Sequence, residues 1–170
     1  MFVTYEIKNG SVWVDAVNPT KDEIKKLTQQ FKVPIDFVTD PLDIDERARI
    51  EIEDDIILIV LRVPQYAESK SEAPFFTVPL GIIIVGENIL TISAIETTVI
   101  SSIKNKLRNI ENARRSKFII EIFSQTISLF LRYIKEINKR TSVAEAILRK
   151  RMCNEELLKL LNIEKSLIYF

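Results

Sequence analysis

The stretch RIEIEDDIILIVLRV, Arg49–Val63, changes character partway along, and that change sets the fold class. From Arg49 to Glu53 the period is two, Ile50 and Ile52 standing between Arg49, Glu51 and Glu53, which is the pattern of a strand. Asp54-Asp55 makes a turn. Ile56–Val63 is then apolar at every position except Arg62. A strand that apolar is covered on both faces, so helices must lie on at least one side of a sheet.

The flanking sequence supplies those helices. Upstream, Phe2–Ile7 and Ser11–Asp15 flank Asn9-Gly10, a dipeptide suited to the positive φ angles of a type I′ turn, and predict a hairpin. Thr20-Lys-Asp-Glu23 matches a capping box, in which the threonine accepts from a backbone N–H and the glutamate reaches back to the cap. The helix it opens is expected from Lys21 to Phe31, with Ile24, Leu27 and Phe31 on its buried stripe. Pro34 opens a second short helix through Thr39, stopped near Pro41. Trp13 is expected in the core beside the first helix. Downstream, Gln65–Pro74 reads as a surface loop, and Phe75–Val85 with Ile89–Ser93 as a strand pair around Gly86-Glu-Asn88.

After Thr97 there is neither proline nor glycine, and the apolar period becomes helical. Val99, Ile103, Leu107 and Ile110 mark one helix; Phe118, Ile122, Ile127, Phe130, Ile134, Ile137, Ala144, Ile147 and Leu148 mark a much longer one, from about Ser116 to Arg151. At 1.5 Å per residue that helix is on the order of 50 Å long, so it must project or pair with another helix. Asn154, followed by Glu155 and Glu156, predicts a further helix carrying Leu157, Leu160, Leu161, Ile163, Leu167 and Ile168. It meets no stop signal before Tyr169-Phe170, and the expectation is that it continues into further sequence. The chain thus divides into a mixed sheet region with helices, 1–96, and a helical region, 97–170, within one domain.

Composition removes most catalytic chemistry. Among 170 residues there is no histidine, which excludes Ser-His-Asp and Cys-His catalysis and His-ligated metals. The single cysteine, Cys153, makes no internal disulfide and is compatible with a reducing cytosol. Glycines at 10, 81 and 86 alone form no phosphate-cradling loop. No secretory signal opens the chain, and the apolar runs Ile56–Val63 and Val78–Val85 fall far short of the roughly 20 residues that span a bilayer, so the chain as given reads as soluble. Lys+Arg and Asp+Glu balance at 24 each, which argues against a nucleic-acid partner. The balance conceals a segregation: residues 1–85 hold 9 basic and 15 acidic side chains, residues 86–170 hold 15 and 9. The basic clusters Arg114-Arg115-Lys117 and Arg149-Lys150-Arg151 bracket the long helix, and read as solvated helix ends or as groups facing an acidic surface.

The order of features resembles the CorA family of magnesium and cobalt transporters. The segments that carry the resemblance are Trp13-Val-Asp15, Asn18-Pro-Thr20-Lys-Asp-Glu23, Phe31-Lys-Val-Pro34, Asp40-Pro-Leu-Asp43-Ile-Asp45-Glu-Arg47-Ala-Arg49-Ile-Glu51, Phe76-Thr-Val-Pro-Leu-Gly81 with Leu90-Thr-Ile92, and Asn154 through Phe170. The resemblance implies an α/β fold: a mixed β-sheet sandwiched by helices (α/β/α), followed by long antiparallel helices. It further implies a domain on the cytoplasmic side of the cell membrane, the parent protein being a homo-pentamer anchored by C-terminal membrane helices. The stalk, both membrane helices and the Gly-Met-Asn pore signature are expected beyond Phe170.

In that family Mg²⁺ bound between neighbouring cytosolic domains holds the channel closed. The resemblance places the sensing acid at Asp40, with Asp43 as a weaker candidate ligand, and Mg²⁺ or Co²⁺ as the regulatory ion at subunit interfaces. Thr39, where an acid often stands, weakens a second shared site. Mg²⁺ takes hard oxygen ligands and keeps several waters, so one carboxylate from each of two subunits can suffice. Against this, an Asp before Pro41 is a common turn residue, and Asp43, Asp45 and Glu46 read equally as a solvated loop. Two alternatives stay open: a soluble helical protein-interaction module, and the cytosolic domain of a zinc-transporting relative. An enzyme is not expected, since no nucleophile or base accompanies the acids.

Overall fold

The computed structural model describes residues 2–6, 11–67, 74–105, 115–150 and 154–168, with side chains described throughout except at 148–150 and 154–156. The elements are β1 (Phe2–Glu6), β2 (Val12–Val17), α1 (Lys21–Phe31), α2 (Ile35–Thr39), a 3-10 turn (Asp40–Leu42), β3 (Arg49–Glu53), β4 (Ile56–Tyr66), β5 (Phe75–Val85), β6 (Asn88–Ser93), α3 (Thr98–Asn105), α4 (Arg115–Lys150) and α5 (Asn154–Ile168). Six strands form one sheet in the order β1-β2-β6-β5-β4-β3. β2 and β6 pair in parallel, while β1/β2, β3/β4 and β5/β6 are antiparallel, so the sheet is mixed as expected. Among the described residues no helix is long and apolar enough to cross a membrane.

Local chemistry explains most of the elements. At the start of α1 both halves of the capping box form: Glu23 N–H donates to Thr20 Oγ1, and Thr20 N–H to a Glu23 carboxylate oxygen at 2.9 Å. α1 ends at Lys32 in the left-handed conformation, one residue before Val33-Pro34. The β3–β4 turn places Asp54 at positive φ. Asn9-Gly10, proposed to turn β1 into β2, and the continuation of α3 toward Ile110 lie outside the described residues. β4 extends to Tyr66, beyond the expected end at Val63.

The chain forms two compact units: residues 1–63 with 78–124, and residues 64–77 with 125–170. In the first, strand alternation sends Val14, Ala16, Leu58, Val60, Ile83, Leu90 and Ile92 to one sheet face, where Leu27 and Phe31 of α1 and Phe37 and Val38 of α2 cover them. The alternate residues face the other way. There Trp13 stacks on Tyr5 and packs on Phe118 of α4, at ring-centroid distances of 4.7 and 4.8 Å. Trp13 is therefore in the core but not beside α1, because its odd position in β2 points to the opposite face. The register of β3 carries a second consequence: Arg49↔Val60 and Glu51↔Leu58 place these charges on the α1/α2 side, and leave Ile50 and Ile52 exposed on the other.

In the second unit α5 returns along α4. Ile147 and Lys159, and further back Arg140 and Ile163, line one groove between them. Ser166 is fully buried, its hydroxyl donating to Asn162 O at 3.0 Å and accepting from Phe75 N–H.

Candidate functional site

Asp40 stands where α2 gives way to the 3-10 turn. Phe37 and Val38 anchor α2 in the apolar cluster, and Pro41 is buried over β5 at Gly81. A Cβ added to Gly81 would lie 2.3 Å from Pro41 Cγ and 2.8 Å from Pro41 Cβ, so no side chain fits between turn and sheet. The glycine seats the turn on the sheet backbone and fixes where Asp40 emerges.

From β3, Arg49 reaches the same corner. Its Nη2 donates to Asp40 Oδ2 at 2.6 Å, its Nε to Glu51 Oε2 at 3.1 Å, and its Nη1 to Glu46 Oε1. Three carboxylates thus surround one guanidinium. Burial pulls the Arg49 pKa down most strongly of any single effect, but the hydrogen bonds to Glu51 and Asp40 and the charges of Glu46 and Asp40 together raise it. Arg62 braces the loop between turn and strand, its Nη1 donating to Ile44 O at 2.8 Å and Glu46 O at 3.0 Å.

The Asp40 side chain remains one-third exposed (33%), and its Oδ1 accepts no hydrogen bond among the described residues. A carboxylate held in place by packing and by a guanidinium, with one oxygen uncommitted and excess acid around it, is a hard-oxygen ligand of the kind Mg²⁺ takes. Among the described residues, however, no group of three or more Asp, Glu, Cys or His side chains converges as a metal cage. The corner offers a single ligand.

The other candidates separate. Asp43 is exposed, and its Oδ1 accepts Asp45 N–H at 3.0 Å in a local Asx turn, so its carboxylate serves the loop. Glu46, expected with Asp43 and Asp45 as solvated loop, is instead partly buried on Arg49. Thr39 donates its hydroxyl back to Ile35 O at 3.2 Å. Arg49 and Glu51 are the side chains that sequence reading overlooked as site residues; the signal was present in the alternation Arg49-Ile-Glu51, which puts both charges on one side of a strand. Of the basic clusters, Arg115 donates to Gly86 O and lies 3.9 Å from Glu87, a surface role; the side chains of Arg114 and 149–151 lie outside the described residues.

A second buried ionic group is fully used within the fold. Asp15, 2% exposed, accepts from the Thr91 hydroxyl at 2.8 Å and pairs with Lys104 Nζ at 2.7 Å, while Trp13 Nε1 donates to Thr91 Oγ1 at 2.9 Å. The arrangement ties α3 to the sheet and leaves no ligand position on Asp15.

Comparison with known proteins agrees with this architecture. The cobalt/magnesium transport protein CorA of Methanocaldococcus jannaschii is 23% identical over 168 residues, covering 94% of this chain and 50% of that protein. The chain therefore spans about half the length of this curated relative. The solved soluble domain of CorA from the same organism superposes with a TM-score of 0.81 at 22% identity, over 94% of this chain and 64% of that one. The ZntB cytoplasmic domain of Vibrio parahaemolyticus gives a TM-score of 0.63 at 16% identity, over 82% and 57%. The α/β fold expected from the resemblance, a mixed sheet between helices with a long helix following, is the fold of that CorA soluble domain. The model of the CorA-like Mg²⁺ transporter protein family matches residues 8–170, nearly the whole chain, and the chain belongs to that family.

Proposed function

We propose that this chain is the regulatory, cytosol-facing domain of a divalent-cation transporter, Mg²⁺ or Co²⁺ being the transported ion, and that Asp40 supplies a carboxylate to a regulatory Mg²⁺ shared between copies of the domain. The observation that carries the reading is the pinned, partly exposed Asp40 at an acid-rich corner, in a chain of this family. The donor set fits: an oxygen ligand at a fixed place, without histidine or thiol, suits a hard cation that keeps most of its water. Mg²⁺ bound there would supply charge to hold acidic corners of two subunits together. Pentameric assembly and a membrane-anchored parent belong to the same reading.

The experiment has two parts. Calorimetry on the 170-residue chain as a monomer is expected to show weak or no Mg²⁺ binding, since one carboxylate is half of a shared site; a micromolar site would overturn the shared geometry. In the full-length transporter that this reading implies, Asp40→Ala is expected to shift the Mg²⁺ dependence of protease protection, and unchanged protection removes Asp40 from the role.

One observation favours a second reading, a helical interaction module. α4 leaves Ile127, Leu131 and Ile134 exposed at spacings of four and three, the seam of a helix that takes another helix. Hydrophobic membrane segments encoded downstream of residue 170 would decide for the transporter.

A further inference from the structure

The second unit contains a basic and aromatic groove, of about 580 Å³, that the regulatory reading does not use. Its floor is three rings: Tyr66 and Phe75 with centroids 5.0 Å apart, and Tyr133 5.5 Å from Phe75. Arg140 lies over Tyr66 and Phe75, at 5.3 and 5.1 Å, donates to Glu136 at 2.8 Å and to the Tyr66 hydroxyl at 3.3 Å. That pair is closed on itself. The hydrogen bond from Arg140, then the charges of Arg140 and Lys139, hold the Glu136 carboxyl below its ordinary range, so Glu136 stays an anion spent on Arg140.

The remaining charges on the rim are of one sign. Arg132, Lys135 and Lys139 follow one another on α4 at spacings of three and four, hence on one face, all exposed and none in an ion pair among the described residues. Three exposed cations on one rim of an aromatic floor raise the local positive potential, most strongly at low salt. The groove volume falls within the roughly 300–1,000 Å³ of small-molecule sites. Lysine and arginine bind phosphate oxygens, and an aromatic face or an arginine plane takes a base by stacking.

We propose that this groove binds a nucleoside phosphate, its phosphates on Arg132, Lys135 and Lys139 and its base against the Tyr66 and Arg140 surface. The site goes beyond the Asp40 reading, lies in the other unit, and stands or falls independently of it. Bare phosphate would use the cations alone; a base adds the exposed part of the Tyr66 ring and the plane of Arg140, which is why the ligand carries a base.

The test is calorimetric titration of the 170-residue chain with ATP, pyrophosphate and adenosine in turn, at low salt with EDTA present so that no divalent ion at Asp40 contributes. The expected result is saturable one-to-one ATP binding at least tenfold tighter than that of pyrophosphate or adenosine. The double variant Lys135→Gln/Lys139→Gln, both exposed positions whose folding is checked by thermal melt, should weaken ATP at least tenfold, and Tyr66→Leu should narrow the gap between ATP and pyrophosphate. Absent ATP binding overturns the proposal, as does ATP affinity unchanged in the double variant. Equal affinity for ATP and pyrophosphate reveals an anion patch that reads no base and overturns it too. Binding of phosphatidylglycerol vesicles without ATP binding would assign the cations to a membrane surface instead.

Discussion

The two units solve the same problem, burying apolar side chains, in opposite ways. The first closes a core between sheet and helices: Trp13, Leu27, Phe37, Leu58, Ile83, Leu90 and Phe118 are each at most 1% exposed, and its buried charge, Asp15, has every oxygen engaged. The second rests on two helices and two strand ends, buries Phe75, Leu129, Ile137 and Ile163, and leaves Leu131, Leu157, Leu158, Leu167 and Ile168 more than half exposed. The difference teaches where specificity resides. The closed unit can hold a carboxylate to a defined place, whereas the open one carries surface that other chains or ligands can use.

The largest effect expected from this contrast is in the closed core. Trp13→Ala removes a fully buried indole between Tyr5 and Phe118 and leaves the Thr91 hydroxyl without its donor. A loss of about 3–5 kcal/mol is expected in urea unfolding followed by circular dichroism. A loss below about 1 kcal/mol would mean that the first unit is not the rigid one.

Next is the buried ion pair. Asp15→Ala leaves Lys104, whose side chain is one-quarter exposed, without its counter-charge, at a cost of about 3 kcal/mol, the low end for breaking a buried pair because water still reaches the lysine. Burial lowers the Lys104 pKa, but the hydrogen bond and charge of Asp15, with Tyr5 and Glu96, raise it on balance. A raised folded pKa means the pair contributes its full stability below the unfolded value of about 10.4, and loses it as pH climbs through the folded value. Native chain should therefore lose stability in that alkaline window more steeply than Asp15→Ala; parallel profiles would sink the assignment.

Gly81→Ala tests how the candidate ligand is held. The new methyl group must displace Pro41, and overpacking of this kind costs about 1–3 kcal/mol. It should also disturb the Asp40–Arg49 pair, visible as a shift of the Arg49 Nη2–H resonance. A stable variant with that resonance unmoved would show that the turn does not depend on its seat.

How far such particulars could be read from the sequence follows from the range of the interactions. α1 was legible to the residue because its capping box is a contact between neighbours, Thr20 and Glu23. The mixed sheet was legible in the apolar run after Asp55, and the long helix in an uninterrupted apolar period. What escaped is everything set by strand register and strand side. Trp13 was expected beside α1 and lies on the opposite face; Arg49 served only as a landmark, yet its pairing opposite Val60 aims it at Asp40, 9 residues away in sequence. No local pattern encodes which side of β3 faces α2, since either choice preserves the alternation. Asp40 itself came from resemblance; the seat of the neighbouring Pro41 on Gly81 joins segments far apart in the chain and has no local signature.

The smallest expected effect is the sharpest check on the open unit. Leu131 is 56% exposed on α4, between the similarly exposed Ile127 and Ile134. If the unit stands as described, Leu131→Gln removes little buried area and substitutes one good helix former for another, so stability should change by no more than about 0.5 kcal/mol. A larger loss would have to come from burial not present among the described residues, and association supplies such burial in solution. The two cases separate by concentration: a folded-state effect is independent of it, whereas a lost helix-to-helix contact makes the melting temperature of the native chain rise with concentration and that of Leu131→Gln less so. Concentration dependence in the native chain would show that this face is closed by another copy, and would end the contrast between a closed unit and an open one.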